Sequence, residues 1–168
     1  MKSYLTHLEC TYCHVTYPSD EVIRLCAECG KVLYPRYDLA GARDALNPDD
    51  LKERPANMWR YFEVMPILDE ANVITLGEGF TPIFKAERLG REIGANAVYI
   101  KDEGINPTAS FKARGLSAAV SKAKELGITK LTMPSAGNAA GAMAAYAAKG
   151  GLEAYVFMPR DAPEANQI

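Results

Sequence analysis

The sequence predicts an α/β protein preceded by a small metal-stapled module, on three observations. From Val73 onward short apolar runs alternate with helical patterns. Two of those runs, 97–100 and 154–158, have the length and composition of buried strands. All four cysteines fall within the first 29 residues, in two pairs of one spacing. Alternating strands and helices belong to an α/β sheet, and paired thiols so close together favour a metal over bridges.

Composition supports a folded chain. Its 168 residues are 48% hydrophobic and 24% charged, enough to bury a core and unlike a disordered or fibrous protein. Nineteen Lys+Arg against 21 Asp+Glu leave a net charge of -2, so no basic field points to nucleic acid or an anionic membrane. A small molecule is the expected partner. No run approaches the roughly 18 apolar residues of a spanning helix, and Met1-Lys2-Ser3-Tyr4 leads into no signal core, so a cytoplasmic protein is expected.

The first unit is read as residues 1–40. Cys10-Thr-Tyr-Cys13 and Cys26-Ala-Glu-Cys29-Gly30 are separated by twelve residues. Two thiolates three positions apart on a tight turn grip an ion from one side, and a second such turn completes a tetrahedron. Zinc is expected ahead of iron, with disulfides or free thiols as alternatives. A closed four-sulfur site has no position for water, so its role is structural. His7 and His14 lie nearby and are read as solvated, not as ligands. Lys2, Arg24, Lys31 and Arg36 are scattered among acids, which argues against a nucleic-acid-binding ribbon.

Residues 41–72 read as a helical connector. Asn47-Pro48-Asp49-Asp50 has the proline and first-turn acids of a helix start. The aromatic run Trp59-Arg60-Tyr61-Phe62 reads as packing surface for a neighbouring unit. In the third unit, 73–168, helices are expected over 110–126 and 138–149, with Lys130-Leu131-Thr132-Met133 as a further strand. Pro163 to Ile168 resembles the opening turn of another helix.

On the helix from Ser110, Lys112, Leu116, Ala119, Ala123 and Leu126 fall within about 40° of one line at 100° per residue. Arg114, Ser117, Ser121, Lys124 and Glu125 occupy the other side. Lys112 is therefore expected on the apolar face, where lost hydration and the positive end of the helix favour a neutral amine suited to Schiff-base chemistry. A lysine that snorkels to the surface is the plainer alternative. Downstream, Pro134-Ser135-Ala136-Gly137-Asn138 forms a polar turn before a helix of small side chains. Such a turn presents backbone amides to an anion, and small side chains allow close approach. Leu76-Gly77-Glu78-Gly79-Phe80-Thr81-Pro82 has the glycines of a close-approach turn.

Together these motifs resemble the threonine synthase family of pyridoxal-phosphate enzymes, of the tryptophan-synthase-β type (fold type II). The resemblance is carried by Leu76 to Pro82, by Lys101-Asp-Glu-Gly-Ile-Asn-Pro-Thr-Ala-Ser-Phe-Lys-Ala-Arg-Gly115, and by Pro134 to Asn138. The cysteine ribbon leading to Tyr37-Asp38-Leu39, and Met58-Trp59-Arg60-Tyr61, are similar to the family's longer forms. The resemblance implies pyridoxal 5'-phosphate bound as a Schiff base to Lys112, which then serves as the base that moves protons. It implies Asn138 on the cofactor's phenolic oxygen, Phe111 beside its ring, and Ser135, Ala136 and Gly137 holding the substrate's α-carboxylate. The reaction implied converts O-phospho-L-homoserine and water to L-threonine and phosphate, in a homodimer. Threonine ammonia-lyase or another pyridoxal-phosphate lyase or synthase of the same type is the alternative, and a non-catalytic metal-stapled fragment is one of another class. Ala109 and Ala113 stand where the family often has Gly and Asp, and Ala139 where a hydroxyl is common. No glycine-rich loop for the cofactor phosphate follows, so an N-terminal portion, inactive by itself, is expected.

Overall fold

A computed structural model describes residues 1–167. It opens with a three-stranded antiparallel sheet in which β1 (Leu5–Cys10) lies between β2 (Thr16–Tyr17) and β3 (Leu33–Tyr37). Pro35 pairs opposite Leu8 on β3, an edge strand, where a missing amide costs no ladder bond on the open side. Helix α1 (Leu39–Ala45) follows at once, its first turn capped by Asp38, whose carboxylate accepts from Gly41 N at 2.9 Å.

The helix expected from Pro48 is only a 3-10 turn, Asp50–Lys52. Asp49 provides no side-chain cap, and Pro55 follows within one turn, so nothing propagates the helix. The aromatic run packs as expected. Met58–Val64 forms a 3-10 segment capped by Asn57, and Met58, Trp59 and Phe62 join Ile67 in one core cluster against Met65, Val73 and Ala118. Tyr61 of the same run faces outward.

Beyond Val73 the predicted elements come in the expected order, preceded by a strand and a helix that the sequence reading did not single out. These are β4 (Ile83–Lys85) and α2 (Glu87–Ile93), and β4 pairs antiparallel with β5 (Tyr99–Lys101) around α2. Then follow α3 (Lys112–Glu125), β6 (Lys130–Pro134), α4 (Asn138–Gly150) and β7 (Glu153–Phe157), with β6 and β7 parallel. A short helix α5 (Glu164–Gln167) occupies the terminal turn read from the sequence, whose last residue, Ile168, lies outside the described residues. No helix among the described residues is long and apolar enough to cross a membrane.

Two expectations need correction. The strands are not buried: Tyr99 is 61% and Phe157 65% exposed. Each sits in a two-stranded ladder, and α4 covers β6 and β7 from one side only among the described residues. Apolar content alone does not report whether both faces of a strand are covered.

Nor does α3 bury the predicted face. Its buried residues are Ala113, Ser117, Val120, Ser121 and Ala123, whereas Ala119 is exposed and Lys112 half-buried. The serines belong to the interior because partners wait for them there: Ser121 Oγ accepts from Ile74 N at 2.8 Å, and Ser117 Oγ lies 2.8 Å from Ile74 O. A buried hydroxyl with a partner loses its penalty. Ala113, Val120, Ile74 and Tyr146 form the second core cluster, which joins α3 to α4 and is flanked by Leu116, Leu131 and Leu152.

Candidate functional site

The four cysteine sulfurs lie within 4.8 Å of one another, and all four thiols are free. Cys10 and Cys29 are 3.4 Å apart, as are Cys13 and Cys26. A zinc–sulfur tetrahedron with bonds of about 2.3 Å has edges of about 3.8 Å, so the cluster fits a four-thiolate metal. Gly30, at φ +68°, makes the knuckle turn that a side chain would strain. Tyr17 Oη lies 3.2 Å from Cys26 Sγ, and this hydrogen bond lowers that thiol's pKa to about 6, whereas those of Cys13 and Cys29 are raised. His7 and His14 stand outside the cluster; His14 Nδ1 instead meets Glu9 at 2.8 Å.

Lys112 is the first residue of α3. Its Nζ lies 4.4 Å from the centre of the Phe111 ring and, among the described residues, forms no hydrogen bond or ion pair. A cation over a ring face is attracted to it without forming an ion pair. Ser110, buried before it, accepts Lys112 N at 3.2 Å. Ala109 just upstream has φ +54°, a left-handed conformation that costs a residue with a Cβ.

Asn138 opens α4 and is exposed. The short connections on either side of β6 reverse the chain twice, so α3 and α4 run the same way and bring Lys112 and Asn138 to one end. No side chain caps α4, and Ser135 Oγ accepts Gly137 N at 3.3 Å, shaping the turn before it. A Cβ placed on Gly137 or Gly141 would meet open space. The free amine, the uncapped helix start and the open space beside it fit a carbonyl cofactor with an anionic partner.

Two carboxylates that sequence reasoning missed organise this end. Glu78, fully buried, accepts hydrogen bonds on Oε1 from Trp59 Nε1 (2.9 Å) and Ser117 Oγ (2.5 Å), and on Oε2 from Thr75 Oγ1 (3.1 Å), Leu76 N (3.0 Å) and Tyr146 Oη (2.7 Å). Burial works against its ionisation, but the bonds from Ser117 and Tyr146 outweigh it and its pKa lies below the ordinary value. Burial and that carboxylate push the Tyr146 hydroxyl up. Glu103 pairs with Arg114, two residues past the lysine. The only signal for Glu78 in the sequence was its place between two glycines, each with φ +95° in the structure.

Residues 74–168 match the family of pyridoxal-phosphate dependent enzymes. Over 150 residues the chain is 39% identical to the threonine synthase of Methanocaldococcus jannaschii, covering 89% of this chain and 37% of that protein. It is 39% identical over 153 residues to the threonine synthase of Methanosarcina acetivorans, covering 91% and 37%. With the threonine synthase of Halalkalibacterium halodurans identity is 45% over 108 residues, covering 61% and 30%. The chain thus spans less than two fifths of the length of these relatives.

Proposed function

Because this chain belongs to the pyridoxal-phosphate dependent enzymes, we propose that the protein is a threonine synthase, converting O-phospho-L-homoserine and water to L-threonine and phosphate, with Lys112 as its cofactor lysine. One observation carries the reading: an amine without an acidic partner among the described residues opens α3 at the same end as the uncapped start of α4. The threonine synthases that resemble the chain over nine tenths of its length support the substrate class.

In this reading Lys112 Nζ would hold the cofactor and would take and return protons at the substrate carbons. The cofactor supplies an electron sink for those steps. Phe111 would lie beside the cofactor ring and Asn138 would donate to its phenolic oxygen. Ser135, Ala136 and Gly137 hold the substrate α-carboxylate at the start of α4, where the helix favours negative charge. The cysteine cluster holds zinc and serves folding, not the reaction. The same reading makes the protein a cytoplasmic homodimer acting on a small amino-acid substrate.

Borohydride reduction of the full-length protein with pyridoxal phosphate, followed by peptide mass analysis, places the label on Lys112 and finds none in Lys112→Ala. A label on another lysine overturns the assignment. Phosphate release from O-phosphohomoserine supports the synthase, whereas oxoacid release from threonine without it marks an ammonia-lyase.

A further inference from the structure

Glu78 touches neither Lys112 nor the Ser135 to Asn138 turn, yet the elements that carry them meet on its carboxylate. Five donors converge there, and among the described residues no cation forms an ion pair with it; Arg114, paired with Glu103, acts on it only through space. An apolar side chain of similar volume fills such a space without the cost of desolvating an ion. What the anion adds is direction, since each donor must aim at one of two oxygens.

Those donors sit at informative places. Ser117 lies five residues after Lys112 on α3, about 7.5 Å along the axis at 1.5 Å per residue. Tyr146 lies eight residues after Asn138 on α4, about 12 Å along it. Ser117 binds Oε1 and Tyr146 binds Oε2, so one planar group holds both helices. Thr75 and Leu76 N fix the carboxylate from its own loop, and Trp59 ties it to the aromatic core cluster. Met58 N donates to Glu78 O at 2.8 Å, so the backbone is anchored as well.

We propose that Glu78 is a positioning residue, which holds α3 and α4 in register and thereby sets the placement of Lys112 relative to the Ser135 to Asn138 turn. Its importance for the reaction rests on the function proposed for Lys112; the register itself does not. The side chain acts through Ser117 and Tyr146 and takes no part in bond making.

Tyr146→Phe tests this by removing the hydroxyl that tethers α4 while keeping the ring in the core. Amide hydrogen exchange in the full-length protein, with and without pyridoxal phosphate, is the direct readout. In Tyr146→Phe, peptides covering 112–116 and 138–142 exchange about tenfold faster, while peptides from the ribbon, 5–37, are unchanged. With cofactor bound, kcat falls about tenfold and KM less than threefold, the signature of misplacement and not of lost binding. Glu78→Gln, whose amide sets N–H groups against the donors, shifts the same peptides further, and Glu78→Asp restores part of the effect. Unchanged exchange in Tyr146→Phe, or a uniform rise over the whole chain, overturns the proposal. Lys112→Ala abolishes the borohydride label but leaves the exchange pattern intact. If the wild-type protein takes no label at Lys112, the catalytic reading fails while the exchange result still decides the role of Glu78.

Discussion

Arg114 donates two parallel hydrogen bonds to Glu103, Nε to Oε2 at 2.7 Å and Nη2 to Oε1 at 2.8 Å. Thr81 Oγ1 and Asn106 Nδ2 add bonds at 2.5 and 3.0 Å, so this carboxylate gathers the segment before β4 and the loop after β5 onto the first turn of α3. Arg114 holds its pKa down at about 2, from an ordinary 4.5. A folded-state pKa below the unfolded one gives stability that is present above about pH 4.5 and lost as pH falls toward 2. Melting temperature followed from pH 6 to 2 therefore drops through that window, and Glu103→Gln makes the drop shallower. An identical acid profile in the variant would show that the pair contributes nothing. Both side chains retain about a third of their exposure, so solvent screening keeps the effect modest.

Ala109→Gly stabilises the protein. At φ +54° the Ala109 methyl costs about 1–2 kcal/mol, against less than 1 kcal/mol of extra unfolded-state freedom for glycine. The urea midpoint rises, by about 0.5–1 kcal/mol in stability; a lower midpoint contradicts the strain argument.

Gly77 and Gly79 share φ +95° but differ in their surroundings. A Cβ on Gly79 comes within 2.7 Å of Met58 N, whereas one on Gly77 meets nothing within 4 Å. Gly77→Ala costs backbone strain alone, roughly 1–3 kcal/mol. Gly79→Ala adds a clash with backbone and costs roughly 1–3 kcal/mol more. Denaturant unfolding of the two variants, measured together, checks the order; equal losses would remove the role of Met58.

The zinc proposed for the cluster predicts about one ion per chain by metal analysis, lost in Cys26→Ser. Four titratable thiols in a metal-free native protein would count against the site. Removing the metal with a chelator loosens 5–37 first and then lowers the overall melting temperature. The ribbon is bonded to the core, Ser3 Oγ to Met65 O at 2.6 Å and Tyr4 N to Glu63 O at 2.9 Å.

Much of the local order was legible because it depends on neighbours in the chain. The cysteine spacing foretold four sulfurs in one cluster. The alternation after Val73 foretold α3, β6, α4 and β7 nearly to their ends, since Gly127 and Gly151 take the left-handed conformation just past the helices. The 3-10 turn at Asp50 escaped because proline and acids at a helix start say nothing about whether the helix continues.

What failed was burial. The helical wheel of α3 placed Ser117 and Ser121 toward water, and both are fully buried. Residue type reports the price of burying a hydroxyl in isolation, while the actual cost depends on whether a partner waits, here Glu78 and Ile74 from another segment. Exposed strands escaped for the same reason, as coverage belongs to what packs on them.

By itself, then, the sequence determined the order of elements, the clustered thiols and the place of Lys112 at a helix start, because these follow from spacing along one backbone. Only the tertiary structure decided that Glu78 collects donors from Trp59, Ser117 and Tyr146, and that Arg114 closes on Glu103. Those contacts join residues as far as 68 positions apart. A buried carboxylate without an ion-paired cation stays ionised when several donors arrive on it together, and three of the five on Glu78 come from distant segments that no local pattern records.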